Sequence, residues 1–291
     1  MQKPTALGVW CSTNTLNKSE LASMAQIVEQ KGYTTLWYPE SLSFECFALG
    51  GFLLSRSNSL TVASGIANIY ARDPVTASQG YDSLNHFYPS RFLLGLGVSH
   101  VPLVENARGH QYGKPVTTMR KYLNDMETSN IDATIESKER SIVLAALGPK
   151  MLELAAAKAK GALPYCVTPS HTAEARSIMG PEQWLCVEQK ICFTDDAVTG
   201  REVGHKQMAR YMKLDNYRNN WLRLGFSEEE ISEKPSDRFL DAMVVWGKRN
   251  IHDCIEAHFK AGADQVVLQM FRPDGGNGID PIALDEFSTS S

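Results

Sequence analysis

Glycine and hydroxyl residues follow the apolar run Phe92 to Leu96, in the sequence Gly95-Leu-Gly97-Val-Ser99-His100. Gly97 would let a planar ligand approach the backbone, and Ser99 would offer that ligand a hydroxyl. A plain turn at the end of a strand is the alternative. The three-glycine fingerprint of dinucleotide-binding folds is incomplete, because His100 stands where the third glycine belongs. The sequence therefore argues against a Rossmann fold.

A second cluster, Gly148-Pro149-Lys150, opens a predicted helix directly after the apolar run Ile142 to Ala146. Proline suits the first turn of a helix, and the backbone N–H groups that are free there can bind an anion. Lys150 would add a positive charge, although a solvated lysine at a helix start is the alternative. The cluster predicts a phosphate-binding site.

The sequence lacks the signatures of several other chemistries. The histidines show no HExxH or other ligand spacing, and Cys254 and His258 lie one helical turn apart without further partners. Neither a G-x-S-x-G motif nor a P-loop is present. We therefore expect no metal site, and redox chemistry on a bound cofactor is the interpretation that fits best.

Eight short apolar runs would position these clusters, with helical segments between most of them. The runs are Leu7 to Cys11, Thr35 to Tyr38, Leu60 to Ile66, Phe92 to Leu96, Ile142 to Ala146, Leu163 to Val167, Leu185 to Ile191 and Gln265 to Gln269. Short, bounded apolar runs are typical of buried parallel strands. Eight of them predict an α/β fold, a (β/α)8 TIM barrel, whose reacting groups come from the C-terminal ends of the strands.

The pattern changes between residues 198 and 249, which form a long, polar and mostly helical region. Its apolar and aromatic residues recur at helical spacing: Tyr211, Leu214, Tyr217, Trp221 and Leu224. We interpret the region as an extra helical insertion before the last strand of a single domain, residues 1–291. It would pack on the barrel or form a dimer contact, and its aromatic stripe is interpreted as core and not as a ligand site.

Composition limits the partners and the location of the protein. The 291 residues carry a formal net charge of -4 with scattered basic residues, which gives no support for nucleic-acid binding. No apolar stretch approaches the roughly 20 residues that span a membrane, and residues 1–7 lack the apolar region of a signal peptide. The six cysteines form no CxxC pair. We expect a cytoplasmic protein with free thiols that acts on a small-molecule substrate.

Several segments, taken in order, resemble the luciferase-like oxidoreductases that use the deazaflavin coenzyme F420. They are Leu36 to Glu40, Ala63 to Pro74, Arg91 to His100, Ala145 to Met151 and Ala261 to Val266. The resemblance implies a luciferase-like barrel, commonly a homodimer, whose cofactor ring lies against a bulge in the third strand. A non-prolyl cis peptide bond would fall in that bulge, at Ser64–Gly65 or Gly65–Ile66. The implied activity is hydride transfer between the deazaflavin and an organic substrate.

The resemblance also implies roles for individual residues. Glu40 matches an acidic residue near the ring, and the remaining cofactor-binding positions are Ser64, Gly65, Ile66, Asn68, Gly97, Ser99, Gly148, Pro149, Lys150 and Thr168. Ser41 departs from relatives that oxidise alcohols or sugar phosphates, which often have a histidine there. Because serine is not a comparable acid or base near neutral pH, Glu40 or His100 would be the catalytic residue that handles the proton.

Two alternative functions fit the same sequence. The barrel would equally hold FMN, as a luciferase-like monooxygenase that receives reduced cofactor from a separate reductase. A barrel that binds the cofactor, or nothing, without turnover is the other alternative.

Overall fold

Eight parallel strands form a closed barrel in the computed structural model, which describes residues 1–132, 134–135 and 139–288. The barrel strands are β1 (Ala6–Trp10), β2 (Thr35–Tyr38), β3 (Thr61–Ser64), β5 (Phe92–Gly97), β6 (Ile142–Leu144), β7 (Gly161–Ala162), β8 (Trp184–Cys192) and β10 (Gln265–Phe271). Each pairs in parallel with the next, and β10 pairs with both β8 and β1, which closes the ring. The (β/α)8 prediction is confirmed.

Helices lie between most of the strands and cover the outside of the barrel. They are α1 (Lys18–Gln30), α2 (Cys46–Leu54), α3 (Pro74–Phe87), α4 (Pro115–Glu127), α5 (Pro149–Lys158), α6 (Pro169–Met179), α7 (Ala197–Met208), α8 (Asp215–Arg223), α9 (Asp237–Met243), α10 (Lys248–Lys260) and α11 (Pro281–Glu286). Within the described ranges, no helix is both long and apolar enough to cross a membrane.

Side chains pack the barrel on both of its surfaces. The interior holds a cluster that includes Trp10, Trp37, Leu93 and Trp184, while a larger cluster lies between the strands and the surrounding helices. This double burial explains why the strands read as continuous apolar runs and not as an alternating pattern. The closed, filled barrel leaves its C-terminal end as the place where loops can build a site.

Seven of the eight predicted runs overlap a strand, and the exception is Leu163 to Val167. The sixth barrel strand, β7, ends at Ala162 instead. A Cβ on Gly161 would lie 1.8 Å from the Trp184 carbonyl oxygen, so only glycine permits this close pairing. Pro164 has no N–H to extend the ladder, and Cys166 has a φ of 56°.

The region predicted as an insertion contains α7, α8 and α9, together with a short strand that the sequence pattern did not reveal. This strand, β9 (Val244–Trp246), pairs with the end of β8. Fully buried Trp221 of α8 donates a hydrogen bond from Nε1 to the Cys166 carbonyl oxygen over 3.0 Å. That bond fixes the helical region to the loop after the sixth barrel strand.

Candidate active site

A cavity of about 1020 Å³ opens at the C-terminal end of the barrel. Its wall is mostly apolar and aromatic, as in sites that hold a ring system. The wall contains nine of the residues predicted for the site: Glu40, Gly65, Ile66, Gly97, Ser99, His100, Gly148, Pro149 and Lys150. The fold therefore brings together residues that lie more than 100 positions apart in the sequence.

Three predicted residues do not lie in this wall. Ser64 is buried behind it, where its hydroxyl exchanges two hydrogen bonds of 2.9 Å with the backbone of Gly95. Asn68 is also buried, and its Oδ1 accepts from the Tyr70 N–H over 3.0 Å. Thr168 lies at the start of α6, with its hydroxyl 2.7 Å from that of Ser170. Ser64 and Asn68 support the bulge from behind, whereas Thr168 is outside the cavity.

The bulge after β3 forms one surface of the cavity. Its cis peptide bond is Gly65–Ile66, one of the two expected positions, and a two-residue strand, β4 (Ala67–Asn68), follows it. Trp10 donates from Nε1 to the Gly65 carbonyl oxygen over 3.0 Å. A Cβ on Gly97 would lie 2.5 Å from Cδ1 of Ile66. Glycine at position 97 therefore lets the Ile66 side chain lie directly on the neighbouring strand.

The Glu40 carboxylate is fully engaged by protein groups. Arg72 binds both of its oxygens, one of them at 3.0 Å. The N–H of Asn68 donates to Oε2 over 2.8 Å, and the N–H of Cys46 donates to Oε1 over 3.2 Å. Four donors match the four lone-pair directions of a carboxylate. Glu40 is therefore placed to tie the bulge to α2 and to Arg72, and this arrangement does not favour it as the proton-handling residue.

His100 lies in the cavity wall without a side-chain hydrogen bond to any described residue. Burial, with a smaller effect from the nearby Arg210 charge, lowers its pKa to about 4. Its ring packs against that of Tyr217, with centroids 5.7 Å apart. At neutral pH the imidazole is uncharged, so it can exchange hydrogen bonds with a ligand but is not a source of protons.

The helical region before the last strand contributes part of the wall, which we call the insertion wall: Arg210, Tyr211, Leu214, Asn216 and Tyr217. The interpretation of the aromatic stripe as core alone was therefore incomplete. Trp221 is core, but Tyr211, Leu214 and Tyr217 face the cavity. The signal that could have revealed this was the residue type, because tyrosines in a purely structural stripe would each need a partner for the hydroxyl.

Two cavity phenols, Tyr211 and Tyr165, belong to a chain of hydrogen bonds that begins at Arg210 and ends at Gln269. Arg210 donates from Nη2 to the Tyr211 hydroxyl over 2.7 Å. Tyr165 donates to Oε1 of Gln269 over 2.8 Å, so the 3.0 Å contact between the two phenols is donated by Tyr211. The chain leads from Arg210 into the barrel and fixes both rings.

The start of α5 forms a further part of the wall. No side chain caps this helix, whose N-cap residue is Gly148 and whose first residue is Pro149. A Cβ on Gly148 would meet no atom within 4 Å, so the backbone here is open to the cavity. Lys150 is exposed and forms no ion pair within the described chain. An open, uncapped helix start with an adjacent cation fits the phosphate-bearing tail of a cofactor.

The family model for luciferase-like monooxygenases matches residues 3–179, which is more than half of the chain. The chain belongs to this family. The matched residues include the bulge after β3 and the start of α5.

Two curated relatives are similar over part of the chain. One is a Mycobacterium tuberculosis protein named as a coenzyme F420-dependent oxidoreductase, 26% identical over 118 residues, or 40% of this chain and 33% of the relative. The other is a 5,10-methylenetetrahydromethanopterin reductase of Methanolobus tindarius, 25% identical over 161 residues, or 50% of this chain and 49% of the relative. The matches thus span a third to a half of the relatives' lengths.

Several solved structures resemble this chain over almost its whole length. An F420-dependent secondary alcohol dehydrogenase in complex with an F420–acetone adduct has a TM-score of 0.79 at 13% identity, covering 98% of this chain and 97% of the other. The oxygenating constituent of 3,6-diketocamphane monooxygenase from Pseudomonas putida, in complex with FMN, has a TM-score of 0.68 at 13% identity, covering 98% and 97%. At these identities, the likeness establishes the fold.

An ion pair lies beneath Tyr165 inside this luciferase-like barrel. Lys190 is 1% exposed, and its Nζ lies 3.0 and 3.1 Å from the Glu188 carboxylate oxygens and 3.5 Å from the centroid of the Tyr165 ring. Burial raises the pKa of Glu188, and the positive charge of Lys190 acts in the opposite direction. Burial alone would lower the pKa of Lys190, but Cys166 and Glu188 raise it. The pair holds the phenol from below.

Metal-ligand residues do not gather in the described ranges: no three His, Cys, Asp or Glu side chains there could hold an ion together. Cys254 and His258, one helical turn apart, both contact Oε1 of Gln189, at 3.4 and 3.0 Å. All six cysteines are free thiols.

Proposed function

We propose that this protein is a coenzyme F420-dependent oxidoreductase that transfers hydride between the deazaflavin ring and an organic substrate. The observation that carries the proposal is the bulge at Gly65 and Ile66, which forms one surface of a large, mostly apolar cavity. The name of the Mycobacterium tuberculosis relative agrees with this cofactor.

The residues divide between the parts of such a cofactor. Gly65 and Ile66 would face the ring, with Gly97 behind the Ile66 side chain. Gly148 and Lys150 would hold the phosphate-bearing tail at the start of α5. When bound, a deazaflavin supplies hydride and does not activate oxygen. The apolar wall would exclude water, and Glu40 would keep the bulge in position through the Asn68 N–H.

An FMN-dependent monooxygenase is the second candidate, because a luciferase-like structure of the same architecture holds FMN. It would require reduced FMN from a separate reductase. For either cofactor, we propose a homodimer in the cytoplasm that acts on a small molecule. The free thiols agree with a reducing compartment.

Titration of the purified chain with coenzyme F420 and, separately, with FMN tests the proposal. The fluorescence of each ring reports its binding. We expect saturable binding of the deazaflavin with much weaker binding of FMN. A preference for FMN would favour the monooxygenase, and binding of neither ring would favour a barrel without turnover.

A further inference from the structure

Tyr217 presents an unpaired polar group to the cavity. Its side chain is 7% exposed and lies in the insertion wall. Its hydroxyl makes no hydrogen bond to any other part of the chain that the structure describes. This hydroxyl is therefore available to a molecule bound in the cavity.

The other phenols of the cavity already have partners. Tyr165 and Tyr211 belong to the hydrogen-bonded chain that ends at Gln269. Tyr112, on another part of the wall, donates to the Ser99 carbonyl oxygen over 3.2 Å. Tyr217 therefore differs from the remaining cavity tyrosines in what its hydroxyl can do, although all four lie in the same wall.

Arg210 places a positive charge against the Tyr211 ring, which in turn packs against Tyr217. Its guanidinium lies 4.6 Å from the centroid of the Tyr211 ring, and the Tyr211 and Tyr217 centroids are 5.0 Å apart. The Arg210 charge acts on the pKa of both His100 and Tyr217. No carboxylate pairs with Arg210 among the described residues. The guanidinium can therefore act on an oxygen atom bound near Tyr217.

The other candidates for proton transfer are less suitable. Glu40 has four protein donors on its carboxylate. His100 is uncharged at neutral pH, because burial lowers its pKa to about 4. Burial holds the pKa of Tyr217 well above its usual value, with Arg210 acting in the opposite direction. The phenol is therefore protonated at neutral pH.

We propose that Tyr217 and Arg210 form an oxyanion site, at which the oxygen of a carbonyl substrate is held while its carbon receives hydride and is then protonated by Tyr217. This inference rests on the proposed function for the source of hydride. It names the substrate class as carbonyl compounds with an apolar body, because the rest of the cavity is mostly apolar.

The proposed step balances in atoms and charge. A C–H bond forms between the carbonyl carbon and the hydride of the reduced cofactor, and the carbon–oxygen π bond breaks. Its electron pair moves to the oxygen, where Arg210 stabilises the negative charge. That oxygen takes the proton of Tyr217, because an alkoxide is a stronger base than a tyrosinate. Water at the mouth of the cavity returns a proton to Tyr217.

Binding of an oxyanion probe tests the site without turnover. The probes are 4-nitrophenolate, at a pH at which it is ionised, and the neutral ether 4-nitroanisole, which has a similar shape. Their affinities for the full chain are measured by calorimetry. We expect the wild type to prefer the phenolate at least about tenfold, and Tyr217→Phe and Arg210→Gln each to lose most of that preference.

Tyr112→Phe is the matched control, since it removes a hydroxyl from the same wall whose hydrogen bond goes to the protein. It should keep the preference for the phenolate. An equal affinity of the wild type for both probes, or a full preference in Tyr217→Phe, would overturn the proposal. Arg210→Gln gives an independent result if Tyr217→Phe does not fold.

The same variants separate this inference from the proposed cofactor. Tyr217→Phe should bind coenzyme F420 as the wild type does. If the wild type binds no deazaflavin but shows a phenolate preference that depends on Tyr217, the oxyanion site stands and the proposed cofactor is wrong. If the deazaflavin binds and the phenolate preference is missing, the oxyanion site is wrong and the cofactor proposal stands.

Discussion

Replacing Glu40 by glutamine would remove the negative charge from a buried ion pair while keeping the size of the side chain. The side chains of Glu40 and Arg72 are only 2% and 7% exposed. The glutamine amide would also turn an NH2 group toward backbone and guanidinium donors. Breaking a buried pair by removing one partner costs about 3 to 5 kcal/mol. At about 2 to 4 °C for each kcal/mol, the melting temperature should fall by roughly 6 to 20 °C.

Thermal unfolding followed by circular dichroism measures this loss. Glu45→Gln is the matched control, because Glu45 also pairs with Arg72, at 2.9 Å, but its side chain is 51% exposed. A pair of that kind contributes at most about 1 kcal/mol. If Glu40→Gln melted like the wild type and yet lost turnover, the carboxylate would be a proton-transfer group and our assignment of a positioning role would be wrong.

Three further predictions have defined outcomes. Gly148→Ala should leave the melting temperature unchanged and weaken F420 binding in a fluorescence titration, because its Cβ meets open cavity space. Gly97→Ala should instead destabilise the fold, because its Cβ would lie 2.5 Å from Ile66. Equal effects of the two substitutions on the melting temperature and on F420 binding would contradict this division. Trp221→Phe should cost about 1 to 3 kcal/mol in urea unfolding, since it leaves a buried carbonyl without its donor. Burial lowers the pKa of His258 from 6.5 to about 4, so the folded state binds fewer protons than the unfolded state within this window. The free energy of unfolding should therefore fall by about 2 to 3 kcal/mol as the pH drops from 6.5 to 4. If His258→Gln showed a similar pH dependence, other groups would be its cause.

The barrel could be predicted because its strands are buried on both sides and therefore appear as short apolar runs. The sixth strand escaped this rule. Its pairing depends on how closely Gly161 approaches Trp184, a contact between distant parts of the sequence. Leu163 and its neighbours look like a strand but lie beyond its end. Strand β9 was missed because three residues between two helices carry too little pattern.

The site could be predicted where it depends on strand ends and not where it depends on side-chain pairing. Glu40 reaches the cavity as expected, but Arg72, which occupies its carboxylate, lies 32 positions away. Nothing in the local sequence shows that pairing. Tyr217 follows the spacing of a buried stripe, and only the packing of α8 on the barrel reveals that its hydroxyl has no partner among the described residues.

Hydride transfer inside this cavity is tested most directly by a single-turnover experiment without oxygen. The chain is mixed with reduced coenzyme F420 that carries deuterium at the reacting carbon, together with a panel of apolar ketones and enals. We predict that oxidised cofactor appears by absorbance and that deuterium is found on the former carbonyl carbon of the product. The account would be contradicted if no carbonyl compound oxidised the deazaflavin while reduced FMN and oxygen supported turnover.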